Sequence, residues 1–283
     1  MKAVISTSLE ESYDNFPRIE EEFNAFLNET LAPRSPNMLL DLVRGLNLPD
    51  HAIVADVGCA EGKYTFELAK QLSCKVFGFD PIKRHIEEAN SELQKGPEFK
   101  DNVSFSLGSA ESLTLDDSSV DLIWCRDTLV HVEDLDVAFT EWRRVLSPNG
   151  YVIILHTYAA DKLEPREAEW LWRAMQVVPQ NTQKAFIEQA FHNSALEIET
   201  STAIGSEWKE YREERTGKHS QHLLHLSRLL RSPERYIQKF GQRNYEIKVG
   251  DCLWHVYQMM GKISYQTYLL RVGERSNSQK LEA

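Results

Sequence analysis

Apolar residues along this chain fall into short continuous runs that alternate with stretches of helical period. The runs at 51–57, 75–80, 103–107, 120–125 and 151–156 are rich in Val, Ile, Leu and Phe and have the length of buried strands. Between them, 63–72, 82–94 and 134–146 place apolar positions three and four apart, as helices with one covered face do. Strand and helix in alternation require right-handed crossovers. The expected fold is therefore α/β, a doubly wound, mostly parallel sheet with helices on both faces. Two later runs, 196–201 and 264–272, supply further strands.

Two stretches stand outside that minimal pattern. Residues 8–31 carry acidic side chains around Phe16, Phe23, Phe26 and Leu27, an amphipathic helix with an expected interruption at Pro17. Residues 206–263 read as helices, with Leu223, Leu224, Leu226, Leu229 and Leu230 on one stripe, before the last strand. The expected division is a helical cap over 1–37, a core over 38–204 and 264–275, a helical insertion over 205–263, and a polar tail over 276–283. Helices inserted late in such a sheet lie where they can roof a cleft at the carboxyl ends of the strands. Cap and insertion are both expected to enclose a substrate.

Composition narrows the class without changing the fold. A chain of 283 residues with 42% hydrophobic content can bury one sizeable core. Its net charge of −11 disfavours nucleic acid as a partner. No apolar run reaches the roughly 18 residues of a membrane span, and the first residues lack a signal-peptide core, so a cytoplasmic protein without membrane partners is expected, a monomer or homodimer. Cys59, Cys74, Cys125 and Cys252 form no CxxC pair, which predicts reduced thiols; a metal site built from Asp127, His131, Asp161 or His255 is conceivable but has no compact ligand motif, so no metal is expected.

The chemistry concentrates at Asp56-Val57-Gly58-Cys59-Ala60-Glu61-Gly62, a buried strand breaking into a glycine turn that opens a helix. Glycines there let the backbone turn sharply and a ligand approach, while the next helix points free N–H groups at the pocket. Asp80 closes the second strand twenty-two positions after Gly58, placed to accept hydrogen bonds from both hydroxyls of a ribose. The pattern is DxGxxxG. Ala60 and Lys63 stand where a GxGxxG motif has glycines, which disfavours a dinucleotide and a nicotinamide oxidoreductase and suits an adenosyl ligand.

With Gly78-Phe79-Asp80, Gly108-Ser109-Ala110-Glu111-Ser112-Leu113, Val120-Asp121-Leu122-Ile123-Trp124-Cys125, His131-Val132 and Arg144-Val145-Leu146-Ser147-Pro148-Asn149-Gly150, residues 52–157 resemble the class I S-adenosylmethionine-dependent methyltransferases. The resemblance implies a Rossmann-like, seven-stranded sheet whose last strand runs antiparallel. It also implies that Asp56 and Gly58 face the methionyl end of the cofactor, Asp80 the ribose, and Ser109 and Ala110 the adenine edge, with Ala60, Gly62 and Pro81 also among the cofactor-binding residues. Glu111 either contacts the adenine region or begins a turn. Cys125 and Arg126 face the cofactor in relatives, although Cys125 is equally suited to packing. The product would be S-adenosylhomocysteine.

Methyl transfer is an in-line displacement, so the protein aligns the nucleophile, excludes water and, for some acceptors, removes a proton. His156 and His131, with Asp127 a turn below the latter, are the candidate catalytic residues at the strand ends. Asp251 and His255, four apart, belong either to an acceptor pocket or to helix packing. Between 205 and 243 nine Lys or Arg face five Glu, a local +4 that reads either as solvated helix faces or as a site for an anionic acceptor. The expected function is methylation of a small molecule, the enclosed site arguing against a polymer. A transfer RNA methyltransferase and a non-catalytic cofactor-binding protein are the alternatives.

Overall fold

The computed structural model describes residues 8–30, 35, 37–72 and 74–273. In chain order they form α1 (Leu9–Thr30), α2 (Met38–Arg44), β1 (Ile53–Val57), α3 (Lys63–Leu72), β2 (Lys75–Asp80), α4 (Lys83–Lys95), β3 (Val103–Leu107) and β4 (Val120–Arg126). There follow α5 (Leu135–Val145), β5 (Leu146–Ala159), α6 (Pro165–Met175), α7 (Lys184–Asn193), β6 (Leu196–Ile204), α8 (Glu207–Thr216), α9 (Lys218–Arg231), α10 (Pro233–Phe240), α11 (Gln242–Met259) and β7 (Ile263–Val272).

The seven strands lie in one sheet in the order β3-β2-β1-β4-β5-β7-β6. Neighbours from β3 to β5 are parallel, and β7 runs antiparallel to both β5 and β6, as the resemblance implied. Both faces are covered. Alternate strand residues Ala55, Val57, Ile123 and Cys125 pack with Phe139, Trp142 and Phe191 of α5 and α7. Val54, Leu122 and Trp124 point the other way, towards Leu39 of α2 and Leu68 of α3. Each such buried aliphatic or aromatic side chain contributes about 1.5–3 kcal/mol of transfer free energy, which is why the strands read as unbroken apolar runs. The chain winds outward from β1 through β2 to β3, then returns to place β4 on the other side of β1. At that reversal two crossovers diverge and leave a crevice at the carboxyl ends of β1 and β4.

Three features differ from expectation. Helix α1 continues across Pro17 without interruption, and its side chains described here, Phe23, Phe26 and Leu27 included, are exposed. A proline costs one backbone bond and a clash in a helix interior, yet the helix, whose described side chains are exposed, is continuous through it. Second, α6 and α7 fill the connection from β5 to β6, where no helix was expected. Pro165 at the first helical position and a capping box between Glu164 and Glu167 start α6. Third, the late insertion, α8 to α11, packs on α6 as well as on itself: Trp172 meets Trp254 edge-on at 5.7 Å. The expected polar tail lies outside the described residues. Among the described residues no helix is long and apolar enough to cross a membrane.

Candidate active site

The turn after β1 is shaped by backbone conformations that most residues avoid. Gly58, Ala60 and Gly62 have φ of +78°, +47° and +84°. A Cβ on Gly58 would lie 2.0 Å from Thr128 Oγ1 and 2.7 Å from Thr128 Cβ, so no rotation of the threonine makes room for it. The N–H groups of Gly58 and Cys59 donate to the Phe79 carbonyl at 2.8 and 3.0 Å, locking the turn to the end of β2.

Asp80 completes that lock. One carboxylate oxygen accepts from Ala60 N–H at 3.0 Å; the other accepts from Ile82 N–H at 2.9 Å and faces His85 Nδ1 at 3.0 Å. A carboxylate offers about four lone-pair positions, so it keeps capacity for a hydroxyl donor. Asp56 sits deeper. It is buried and accepts the Thr65 hydroxyl at 2.6 Å; burial, reinforced by the neighbouring Asp80, pushes its carboxyl up to about 7.

Gly58, Ala60, Asp80 and Pro81 line one wall of a cleft of about 840 Å³. Arg126, Asp127, Thr128 and His131 form its floor, and Trp172, Met175, Gln176 and Val178 of the β5–β6 connection form the opposite wall. Seven of the residues singled out from the sequence therefore share one cavity: Gly58, Ala60, Asp80, Pro81, Arg126, Asp127 and His131. The others stand back from it. Asp56 lies beneath the turn. The ring of Phe105 lies against Gly62, where an added Cβ would meet it at 2.5 Å. Ser109 pairs with Ser112 in a short bridge, the buried Ala110 gives its carbonyl to the Trp142 indole N–H at 3.0 Å, and Glu111 is half-buried beside them. Cys125 is part of the apolar core, and burial pushes its thiol far up, so it packs as a small hydrophobe.

The two histidines part company. His131 lines the cleft, and its Nδ1 lies 2.9 Å from the Gln176 carbonyl. A carbonyl only accepts, so Nδ1 carries the proton and Nε2 keeps a free lone pair. His156 is fully buried instead. Its Nε2 lies 2.6 Å from the Asn181 carbonyl and its ring packs edge-on against Tyr158. Burial holds its pKa down to about 4, and Asn181 is itself tied to the carbonyls of Leu129 and Val132 at 2.7 and 2.8 Å. The structure thus places His156, a catalytic candidate from the sequence, away from the cleft lining, where it braces the β5 end against the Pro179–Thr182 turn.

Asp127 combines an unusual backbone with a fixed side chain. Its φ is +58°, its N–H donates to the Leu155 carbonyl at 2.7 Å, and its carboxylate accepts the Thr157 hydroxyl. A non-glycine residue held there is a form of strain common at functional sites. Beside it, the Arg126 guanidinium lies 4.3 Å from the Tyr64 ring and 5.9 Å from Trp208, held by aromatic faces.

Lys209 was visible in the sequence only as one of nine cations. The structure leaves the other eight exposed and draws this one in. Its Nζ is 3.3 Å from His255 Nδ1 and 5.8 Å from the Tyr265 ring. Burial lowers its pKa to about 8, with Asp127 opposing and Arg212 and Arg126 adding to the shift. Among the described residues no carboxylate lies within 4 Å of it. No spacing rule identifies such a residue; only the packing of α8 does.

Comparison with known proteins agrees with this geometry. Residues 55–154 match the family described as a methyltransferase domain. The methyltransferase GfsG of Streptomyces halstedii is 32% identical over 126 residues, which are 44% of this chain and 45% of that protein. The chain spans less than half the length of the curated relatives it matches. Among solved structures, the cyclase SpnF superposes with a TM-score of 0.66 at 15% identity, covering 96% of this chain and 99% of that one. Geranyl diphosphate C-methyltransferase from Streptomyces coelicolor A3(2), solved with Mg2+, geranyl diphosphate and S-adenosylhomocysteine, gives 0.57 at 13% identity, covering 90% and 78%. Over residues 55–154 the chain is thus similar to methyltransferase domains, and its fold is that of the solved structures named above.

Proposed function

We propose that the protein transfers the methyl group of S-adenosylmethionine to a small molecule that carries an anionic group. One observation supports the cofactor half above all others: the turn that tolerates no side chain at Gly58 and the carboxylate of Asp80 meet at the wall of a single cleft. The residues fit the cofactor, since Asp80 retains lone-pair capacity for a ribose hydroxyl and the cleft has the size of small-ligand sites. When bound, the cofactor supplies an electrophilic methyl on a positively charged sulfur.

The remaining work belongs to the chain. Asp80 and the β1 turn orient the nucleoside, and Asp127 and Thr128, at the β4 end, set the floor against which an acceptor aligns. His131 Nε2 takes the proton of a hydroxyl or amine acceptor, with Nδ1–H anchored on Gln176. Lys209, half-buried, with no carboxylate of the described residues within 4 Å and within electrostatic reach of Arg126, pairs with the acceptor's phosphate or carboxylate. The β5–β6 connection and α8 exclude water from the reacting atoms.

The test is formation of S-adenosylhomocysteine with a panel of small phosphorylated and carboxylated acceptors set against neutral analogues. Turnover confined to anionic members is the expected result. Cofactor binding without turnover on any acceptor would support a binding protein instead, and strongly salt-dependent RNA binding would restore the transfer RNA reading.

A further inference from the structure

We infer that His219 and His222 of α9 and His255 of α11 form a binding site for a divalent transition-metal ion of the zinc class. One ligand nitrogen from each ring lies within 4.8 Å of the other two. The rings of His222 and His255 have centroids 4.0 Å apart, and His219 stands 5.5 Å from His255 and 6.0 Å from His222. Tetrahedral coordination at about 2.0–2.1 Å places ligand nitrogens roughly 3.3 Å apart, a distance reached from here by small side-chain rotations.

Two of the rings have nitrogens without other work. His219 is 4% exposed, yet neither of its nitrogens has a hydrogen-bond partner, and the buried Nδ1 of His222 has none. Buried polar atoms are nearly always satisfied, so two imidazoles on adjacent turns of α9 left unpaired against a third call for an occupant. Burial, aided by the Lys209 and Arg212 cations, holds His219 down to about 4; burial and Lys209 hold His255 to about 3, and burial with the Lys248 and Lys209 cations lowers His222. All three rings are therefore neutral at neutral pH, the form that ligates metal. An all-nitrogen set suits zinc, cobalt or nickel and is poor for magnesium, which takes oxygen ligands.

The surroundings divide between support and opposition. Asp251 Oδ1 is 3.8 Å from His255 Nε2, so a carboxylate stands behind one ligand ring as it does in many metal sites. Lys209 Nζ lies 3.3 Å from His255 Nδ1 and must turn towards Asp127 if that nitrogen ligates. The inference is independent of methyl transfer, because the three rings lie in the late insertion and none lines the cofactor cleft.

The experiment titrates tag-free, chelator-treated full-length protein with Co2+, read by visible absorption, then with Zn2+ in competition, both without cofactor. One tightly held ion per chain with a tetrahedral cobalt spectrum is expected. His222→Ala and His255→Ala should each weaken binding by at least about 100-fold and Asp251→Asn by about 10-fold, while His192→Ala on α7 leaves it unchanged. Each variant is compared at equal folded fraction, judged by circular dichroism. Absence of saturable binding by the wild-type chain, or undiminished binding by folded His222→Ala and His255→Ala, overturns the site. If those variants do not fold, the wild-type titration and its spectrum decide alone.

Discussion

The two sides of the cleft are built on different principles. On the β1–β2 side the functional groups are backbone turns and one carboxylate, set within thirty residues of one another by strand ends and positive-φ positions. On the other side Arg126 and His131 converge from β4 and a 3₁₀ turn to face the β5–β6 connection, with Lys209 of α8 and His255 of α11 outside the cleft lining. The first side depends on local backbone conformation, the second on tertiary packing. That division explains why the fold and the β1–β2 wall follow from one segment, whereas the proposed acceptor side draws on helices that the family match does not reach.

Variants that separate the two sides test this difference most strongly. His131→Ala is expected to lower kcat by about 10²–10⁴ with a hydroxyl or amine acceptor while leaving cofactor affinity intact, measured by turnover and calorimetry. Equal loss of cofactor binding would merge the two sides into one. Asp80→Ala should do the reverse, weakening cofactor binding about 30- to 100-fold through loss of charge-assisted hydrogen bonds to the ribose and of the brace on Ala60. Unchanged affinity would remove Asp80 from the ribose.

A smaller effect is expected at Lys209. Lys209→Met should raise KM for an anionic acceptor about tenfold and spare both kcat and the cofactor. The pH dependence has a definite sign. The anion prefers the ammonium form, and free Lys209 titrates near 8, so acceptor affinity of the wild-type protein falls as pH rises above 8. The methionine variant should show no such fall; a parallel decline in both would assign the titration to another group.

Acid should loosen the two sides unequally. His156, His219 and His255 have folded pKa values of about 4, 4 and 3, below the ordinary 6.5, because burial disfavours their charged forms. Their neutral state stabilises the fold fully above pH 6.5, and that stability is lost as pH falls through about 4. Asp56 opposes them, since a carboxyl raised to about 7 gains stability as pH falls towards 4. Two of the histidines lie in the insertion and the aspartate lies under the β1 turn. Hydrogen exchange at pH 5 should therefore accelerate in α9 and α11 before β1 and β4, and simultaneous opening would contradict the division.

What was legible in the sequence follows the same line. Glycine conformations, strand-end acids and apolar runs are local properties, and Gly58, Asp80 and the central strands could be read directly. Helix α6 announced itself weakly, through Glu164, Pro165 and Glu167, in a stretch too short to outweigh the strand before it. His156 looked available because a strand-end position does not reveal which face a side chain takes or that Asn181 waits beneath it. Lys209 was hidden among cations of the same type, its burial decided by the packing of α8 near Tyr265. Pro17 misled for the opposite reason, since a local rule overstated its effect in a helix with exposed faces.

The most direct test is a crystal structure of the protein with S-adenosylhomocysteine. The account predicts the ribose hydroxyls within hydrogen-bond distance of Asp80, the nucleoside along the Gly58–Ala60 turn, and the sulfur directed towards Asp127 and His131. Density for the ligand elsewhere, or a sulfur pointing away from the β4 end with His131 out of reach, would contradict it.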